Sequence, residues 1–409
     1  MRHELECSSC NSIYPPGGYL HGCPACFESG NLGSLQVILD YDELNFDLLP
    51  FGTETPLNSM WRYQELLPLV SKKPITLGEG GTPILRANYL SSNLDLNIFY
   101  KNETVNPTWS FKDRLYSLMI SNVAEFGYNK IVNSSTGNAG ASAAAYASRA
   151  GISDILILSP HECELPLRNQ ILSYGAQLAI LDFESRSSLL NLLVDQGWYP
   201  VINGTHYSSE GYKTIAFELV EQLEEVPEAI VFPAGIGDGL SGIWNGFKVL
   251  HQLDIISKLP RMIGVQSEER QPLVRAISSN SKEAIPDMGP MPITISTSGT
   301  MTGTYAIDAV RESKGCAYAI SYDEIKISLK EMGRDGLFVE PATALTAAGV
   351  KQAHKEGEFD NGDTVICIAT GTGIKWPHGI SPLFDPVPTI DPTLDSLERA
   401  TSFTFEFQK

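Results

Sequence analysis

Short apolar runs alternate along this chain with longer segments whose apolar residues recur every three or four positions. Runs of the first kind read as strands: Asp154 to Leu158, Gln177 to Leu181, Pro200 to Asn203, Ala229 to Phe232, Met262 to Gln266 and Thr364 to Ala369. Segments of the second kind read as helices: Leu165 to Tyr174, Ser185 to Val194, Thr214 to Leu223, Leu240 to Leu253, Tyr305 to Ser313, Tyr322 to Met332 and Pro341 to Ala353. Upstream, Thr82 to Leu85 and Asn97 to Glu103 read as strands, and Tyr41 to Lys73 as a linking segment with a helix around Trp61 to Val70. Strands and helices taken in turn predict an α/β fold of parallel sheets with right-handed crossovers, and ligand sites outside the carboxyl ends of the strands. Beyond Pro377 the pattern breaks at Pro382, Pro386, Pro388 and Pro392. Phe403, Phe405 and Phe407 then alternate with polar residues, which leaves an edge strand and a disordered tail both open.

At 409 residues, 43% of them hydrophobic, the chain is long enough for two domains and a small module besides. Its 29 basic and 48 acidic residues give a net charge of −19, which opposes non-specific binding to nucleic acid or membrane. No apolar stretch is long enough to cross a bilayer, and Met1-Arg2-His3-Glu4 lacks a signal-peptide core, so a cytoplasmic location is expected. Four of the seven cysteines form two knuckles, Cys7-x2-Cys10 and Cys23-x2-Cys26, a spacing suited to tetrahedral zinc. Four thiolates leave no open coordination position, so such a metal is structural; a metal-free remnant and a disulfide pair are the alternatives.

Asn106-Pro107-Thr108-Trp109-Ser110-Phe111-Lys112-Asp113-Arg114 carries the most chemistry. Pro107 disfavours helix at Asn106, while Leu115, Leu118 and Met119 follow with the spacing of one buried helical face. Lys112 thus falls at a helix N-terminus, where the dipole and desolvation favour the neutral, nucleophilic amine. A solvated Lys-Asp-Arg first turn is the plainer alternative. Ser135-Thr136-Gly137-Asn138 opens a small-residue helix after the strand-like Lys130 to Val132, with donors suited to a carboxylate. Gly235-Ile236-Gly237-Asp238-Gly239 stands between a buried strand and a helix, where glycines let backbone N–H groups close on a phosphate; a plain tight turn reads the same way.

In combination and in order, these segments resemble the fold-type II enzymes that use pyridoxal 5'-phosphate (PLP), most closely threonine synthase and its relatives. Gly78-Glu79-Gly80-Gly81-Thr82-Pro83 looks like the family's opening motif, and the resemblance continues to about Pro377. It implies that Lys112 is the Schiff-base lysine and that Asn138 contacts the cofactor's ring hydroxyl. Ser135, Thr136 and Gly137 would receive the substrate carboxylate, Gly235 to Gly239 the cofactor phosphate, and Thr370, in Ala369-Thr370-Gly371-Thr372-Gly373-Ile374-Lys375, the pyridine nitrogen. Some relatives carry an N-terminal ribbon, and Leu5, Tyr14 and Leu35 to Tyr41 look like its context. A homodimer acting on an amino acid is implied. Residues 1–40 would form the ribbon, 41–114 with 211–380 the large PLP-binding domain, 115–210 a small mobile domain and 381–409 a tail.

Two departures bear on the substrate. In threonine synthases an arginine that helps hold the substrate phosphate precedes Gly-Gln-Lys-Thr. Here the run from Asn203 to Thr214 has none, and His206 and Lys213 are the nearby cations. Trp109 also stands where the common motif has glycine, which places a large ring toward the substrate. Three readings stay open: a PLP-dependent elimination or replacement on another amino acid, a true threonine synthase with a rearranged phosphate site, and a non-catalytic binding protein that keeps the fold.

Overall fold

A computed structural model describes residues 3–404 except 32, 42, 43, 45, 47, 48, 53–57, 71, 72, 183, 184, 224, 284 and 286–300; for 301–303 it describes the backbone alone. Strands β1 (His3–Cys7), β2 (Ile13–Tyr14) and β3 (Leu35–Leu39) form an antiparallel ribbon in the order β2-β1-β3. Next come β4 (Ile84–Arg86) and β5 (Asn97–Asn102), followed by β6 (Lys130–Ser134), β7 (Asp154–Ser159), β8 (Gln177–Ile180) and β9 (Tyr199–Pro200). Last are β10 (Ala229–Pro233), β11 (Arg261–Ser267), β12 (Cys316–Ile320) and β13 (Thr364–Ala369). Strands β8-β7-β6-β9 make a wholly parallel sheet; β12-β11-β10-β13-β5-β4 make a second, parallel except at β4.

Alternation along the central strands explains why the larger sheet carries helices on both faces. Ile230 and Phe232 of β10 face one core with Ile215, Phe217, Leu240 and Phe247. Ala229 and Val231 face the other with Ile325, Leu329, Leu345 and Ala348. Most boundaries predicted from the sequence lie within a few residues of the observed ones. Strand β12 was not anticipated, since Cys316-Ala317-Tyr318-Ala319-Ile320 is a short run with small residues at an edge. The run Pro200 to Asn203 contributes only Tyr199–Pro200 to the sheet. The predicted helix Trp61 to Val70 is a 3₁₀ segment, Met60–Leu66, that stops before Pro68. Near the end of the chain Leu394–Ala400 is helical and Phe403 is exposed outside any strand; Phe405 and Phe407 lie outside the described residues.

The helix Lys112–Glu125 is buried from Asp113 through Val123, on every side and not only along the stripe of Leu115, Leu118 and Met119. Its polar residues are therefore all partnered. Arg114 lies between two carboxylates. Its Nε and one terminal nitrogen reach Glu103 at 2.7 and 2.8 Å, and both terminal nitrogens reach Glu218 at 2.6 and 2.8 Å. Lys101 Nζ donates to the same Glu218 at 2.6 Å, and all four side chains are fully buried. Thr82 Oγ1 donates to Glu103 at 2.6 Å, Gly81 N to Glu218 at 2.8 Å, and Asn106 Nδ2 to Glu103 at 2.8 Å. Two positive and two negative charges thus close on one another and tie together the 78–83 segment, β5, the lysine turn and the helix Lys213–Gln222.

Removing one member should be far costlier than the pair is worth, because it leaves buried charge uncompensated. Glu218→Gln is expected to lower the unfolding free energy by about 3–5 kcal/mol, read as a lower midpoint in urea. The neighbouring cations hold the Glu218 carboxyl down to about 2 against an ordinary 4.5. Its contribution should accordingly be present above 4.5 and be lost only as the pH falls toward 2. A wild-type loss of this contribution complete by pH 4.5, measured against the Gln variant, would contradict the geometry.

Candidate active site

The lysine turn is held against the segment that follows β13. Trp109 N donates to Asn106 O at 2.7 Å, Phe111 N to Thr370 O at 2.9 Å, and Ser110 bridges to Gly371. Lys112, the first residue of its helix, then projects Nζ to 3.1 Å from the Tyr212 hydroxyl and 3.8 Å from Asp238 Oδ2. The ammonium position also lies over the rings of Phe111 and Tyr212, at 4.5 and 5.5 Å from their centroids. Burial pushes its pKa below the usual 10.5, with Asp238 and Glu340 pulling the other way. The neutral amine expected from the helix end is thus favoured chiefly by desolvation.

Lys112 opens onto a cavity of about 960 Å³ between the two parallel sheets. One wall comes from the larger sheet: Phe232, Gly235, Ile236, Asp238 and Glu340. The other comes from the loops at the carboxyl ends of β6, β7, β8 and β9, which bring in Ser134, Ser135, Thr136, Asn138, His161, Glu164, Arg168, Arg186 and Asn203. The glycine loop needs its glycines: Gly237 caps the helix Asp238–Gln252 at φ +100°, and a Cβ on Gly239 would stand 2.3 Å from the Phe232 ring. Asp238 Oδ1 accepts from Gly239 N at 3.0 Å, while its buried Oδ2 has no hydrogen-bond partner. Burial raises the Asp238 carboxyl above its usual range.

The cavity brings together Lys112, Ser135, Thr136, Asn138, Gly235, Ile236 and Asp238. Gly137, Gly237, Gly239 and Thr370 stand behind it in the framework. Ser135 Oγ accepts from Gly137 N and Gly140 N at 3.0 and 2.9 Å, folding the loop over the start of the helix Asn138–Arg149. Thr370 is buried and donates to Glu340 Oε1 at 3.1 Å. Asn138 Nδ2 and Trp376 Nε1 both donate to Glu340 Oε2 at 2.7 Å, and Lys375 Nζ donates to Asn138 Oδ1 at 3.0 Å. Glu340 thus bridges the two residues carried over as ring contacts, a role the pattern before Pro341 gave no reason to assign. Tyr212, Arg168, Arg186 and Lys375 were missed for the same reason.

Trp109 does not point into the cavity. It is half-exposed, has φ +64°, and its ring lies 5.9 Å from Lys375 Nζ. His206 and Lys213 do not reach the cavity either. Lys213 is buried against Glu210 at 2.6 Å, and His206 packs against Tyr19 and Tyr207 at the ribbon. In the ribbon itself the sulfurs of Cys7, Cys10, Cys23 and Cys26 all lie within 4.8 Å of one another, a set that could hold a metal ion.

Residues 75–371 match the family described as pyridoxal-phosphate dependent enzyme. The chain belongs to that family. It is 33% identical to threonine synthase of Methanosarcina acetivorans, over 97% of this chain and 98% of the relative. It is 34% identical to threonine synthase of Methanocaldococcus jannaschii, over 91% and 93%. Among solved structures, a fungal L-serine ammonia-lyase from Rhizomucor miehei superposes with a TM-score of 0.65 at 19% identity, covering 76% of this chain and 98% of that one, which speaks to the fold alone. The chain is therefore a threonine synthase-like PLP-dependent enzyme of the lyase type. The geometry fits the cofactor at both ends: an amine of lowered basicity inside the cavity, and a glycine-bounded helix start beside it. A phosphate on this loop would have Asp238, whose carboxyl burial raises above its usual range, as a neighbour.

Borohydride reduction in the presence of PLP should fix the cofactor on Lys112 alone, with half-maximal labelling below pH 10.5. Asp238→Asn removes a charge that holds the ammonium in place, so the profile should move to still lower pH. A shift upward, or a label mapping elsewhere, would count against the assignment.

Proposed function

We propose that the enzyme carries out β/γ-elimination or replacement on an amino acid with an anionic leaving group, and that O-phosphohomoserine is the first substrate to test. The observation that carries this reading is the Lys112 amine, low in basicity, facing the glycine loop across a cavity whose other wall holds Ser135, Thr136 and a buried arginine. When bound, PLP supplies the carbonyl that Lys112 attacks and a conjugated ring that takes up electrons as the Cα proton leaves. Lys112 Nζ, oriented by the Tyr212 hydroxyl, would receive that proton as a free amine and could return it. Ser135, Thr136 and the N-terminus of the helix Asn138–Arg149 hold the substrate carboxylate. Asn138 and Thr370 would hold the ring, with Glu340 fixing the pair. A hydroxyl at the ring nitrogen, in place of a carboxylate, favours loss of a leaving group over transamination.

Retention of Lys112 and Asn138 on one cavity, with Thr370 behind it on Glu340, disfavours a purely binding role. A substrate other than O-phosphohomoserine is favoured by the arginine-free run from Asn203 to Thr214. A coupled assay for phosphate release and threonine formation from O-phosphohomoserine separates the two catalytic readings. Both products are expected, and release of neither would remove the threonine-forming one.

For the ribbon we propose structural zinc. A tetrahedron of ~2.3 Å bonds spaces sulfurs about 3.8 Å apart, and Cys7–Cys26 and Cys10–Cys23 stand at 3.7 and 3.6 Å. A homodimer and a cytoplasmic setting, in which thiols stay reduced, belong to the same reading. Phe338 and Ile374, apolar, exposed and adjoining at Gly373, are surface that a second copy would cover. Metal analysis of the purified protein should find stoichiometric zinc, lost in Cys7→Ser, and light scattering a mass about twice 44.7 kDa; a metal-free ribbon or a 44.7 kDa particle would overturn the respective claim.

A further inference from the structure

Lys375 closes the 3₁₀ turn Gly373–Lys375 after β13 and is buried, although it does not line the cavity. Its Nζ donates to the carbonyl of Thr108 in the lysine turn and, at 3.0 Å, to Oδ1 of Asn138 at the head of the helix Asn138–Arg149. One ammonium thus ties together three segments drawn from both parallel sheets. Trp109 covers it: the ring lies 5.9 Å from Nζ, and the φ of +64° that turns Trp109 away from the cavity is what brings it there. Burial lowers the Lys375 pKa from 10.5 to about 8, with Asp113 and Glu340 pulling the other way, so the group is still a cation at neutral pH.

An asparagine amide has a donor end and an acceptor end of nearly equal size, so packing by itself does not choose between them. At Asn138 the choice is forced from both sides. An ammonium has donors only, so it takes the carbonyl end. At the other end Nδ2 donates to Glu340 Oε2 at 2.7 Å, and Glu340 is marked as an acceptor by the Thr370 hydroxyl and the Trp376 indole, which also donate to it. A flipped amide would set its carbonyl against a carboxyl and its NH2 against an ammonium. Nδ2 has two hydrogens and, among the described residues, makes that one hydrogen bond; Asn138 lines the cavity, so its second N–H is left for what the cavity holds.

We propose that Lys375 is a positioning residue for the cofactor: with Glu340 at the opposite end, it locks Asn138 so that the amide offers the cavity a donor in place of its carbonyl, and this selects a ring oxygen able to accept. Trp109 belongs to the same device, as the cover that keeps water from competing for the ammonium. The inference rests on the PLP-dependent reading of the same cavity.

The test measures dissociation constants of the full chain for PLP and for its analogue lacking the ring hydroxyl, by equilibrium dialysis. Wild type should prefer PLP, and Lys375→Met should cut that preference on the order of tenfold, because a donor to an anionic oxygen loses its fixed place. Any difference between the two aldehydes in their own reactivity with Lys112 is common to both proteins and cancels. A merely structural lysine would weaken both ligands alike, so an unchanged preference in Lys375→Met overturns the proposal. Should that variant not fold, judged by circular dichroism, Trp109→Gly reads the same contact. Glycine takes the positive φ without strain, and uncovering the ammonium should lower the preference as well; a preference equal to wild type would then overturn the proposal. On an Asn138→Ala background Lys375→Met should lower the preference no further, since both act through one contact. A further fall there counts against the proposal. A wild-type protein that binds PLP with no such preference overturns the assignment and leaves the cofactor reading intact, whereas one that binds no PLP overturns both.

Discussion

Four buried charges with no access to water set the geometry on which the rest depends. Arg114 accepts the constraint of two carboxylates at once, and its fork matches each of them with paired nitrogens. Taking such ions from water is expensive, and only closure of every donor and acceptor offsets it. The consequence is positional. Arg114 sits two residues after Lys112, so a network anchored on β5, the 78–83 segment and the helix Lys213–Gln222 fixes the start of the helix that carries Lys112. Asp113 adds a second anchor, accepting from Thr108 Oγ1 at 2.5 Å and from Ser142 Oγ at 2.6 Å, which ties the same turn to the helix Asn138–Arg149.

Lys112 is thus a rigidly mounted amine in a site where charge is managed in pairs. Asp238 holds it from the glycine loop and Tyr212 from the helix that follows β9. On the same wall as Asp238, Glu340 gathers three donors, from Asn138, Thr370 and Trp376. Burial raises both carboxyls, while Lys112 beside Asp238 and the donors around Glu340 pull the other way. On the proposed reading, backbone donors of the glycine loop hold the anionic cofactor, and burial lowers the basicity of the lysine.

The ribbon adds a third layer of support. Tyr207 packs among Leu5, Cys7, Cys23 and Leu35 and lies 3.0 Å by its hydroxyl from His3 Nε2. Tyr128 donates to Gly18 O at 3.0 Å. The segment covered in this way runs from Asn203, on the cavity wall, to Tyr212, at the lysine. The ribbon therefore packs against His206 and Tyr207, within the strip that joins the cavity wall to Tyr212.

Local pattern alone was enough to place most strands of the two larger sheets, the lysine turn, the glycine loop and the cysteine knuckles, because periodicity, glycine and paired cysteines leave marks within a few neighbouring residues. It also set Lys112 at a helix start, since Pro107 and the Leu115 stripe fix that boundary. It could not show that the helix is buried all round, because the partners of Arg114 and Asp113 come from elements far away in the chain. For the same reason it sent Trp109 toward the substrate and left Arg186 and Glu340 unassigned. A positive φ turns Trp109 outward, and only the stacking of two sheets brings a helix after β8 and a glutamate before Pro341 onto one cavity. Motifs that act through their own backbone could be read in the sequence; side chains that act across the fold could not, because their chemistry is set by neighbours that only tertiary packing supplies.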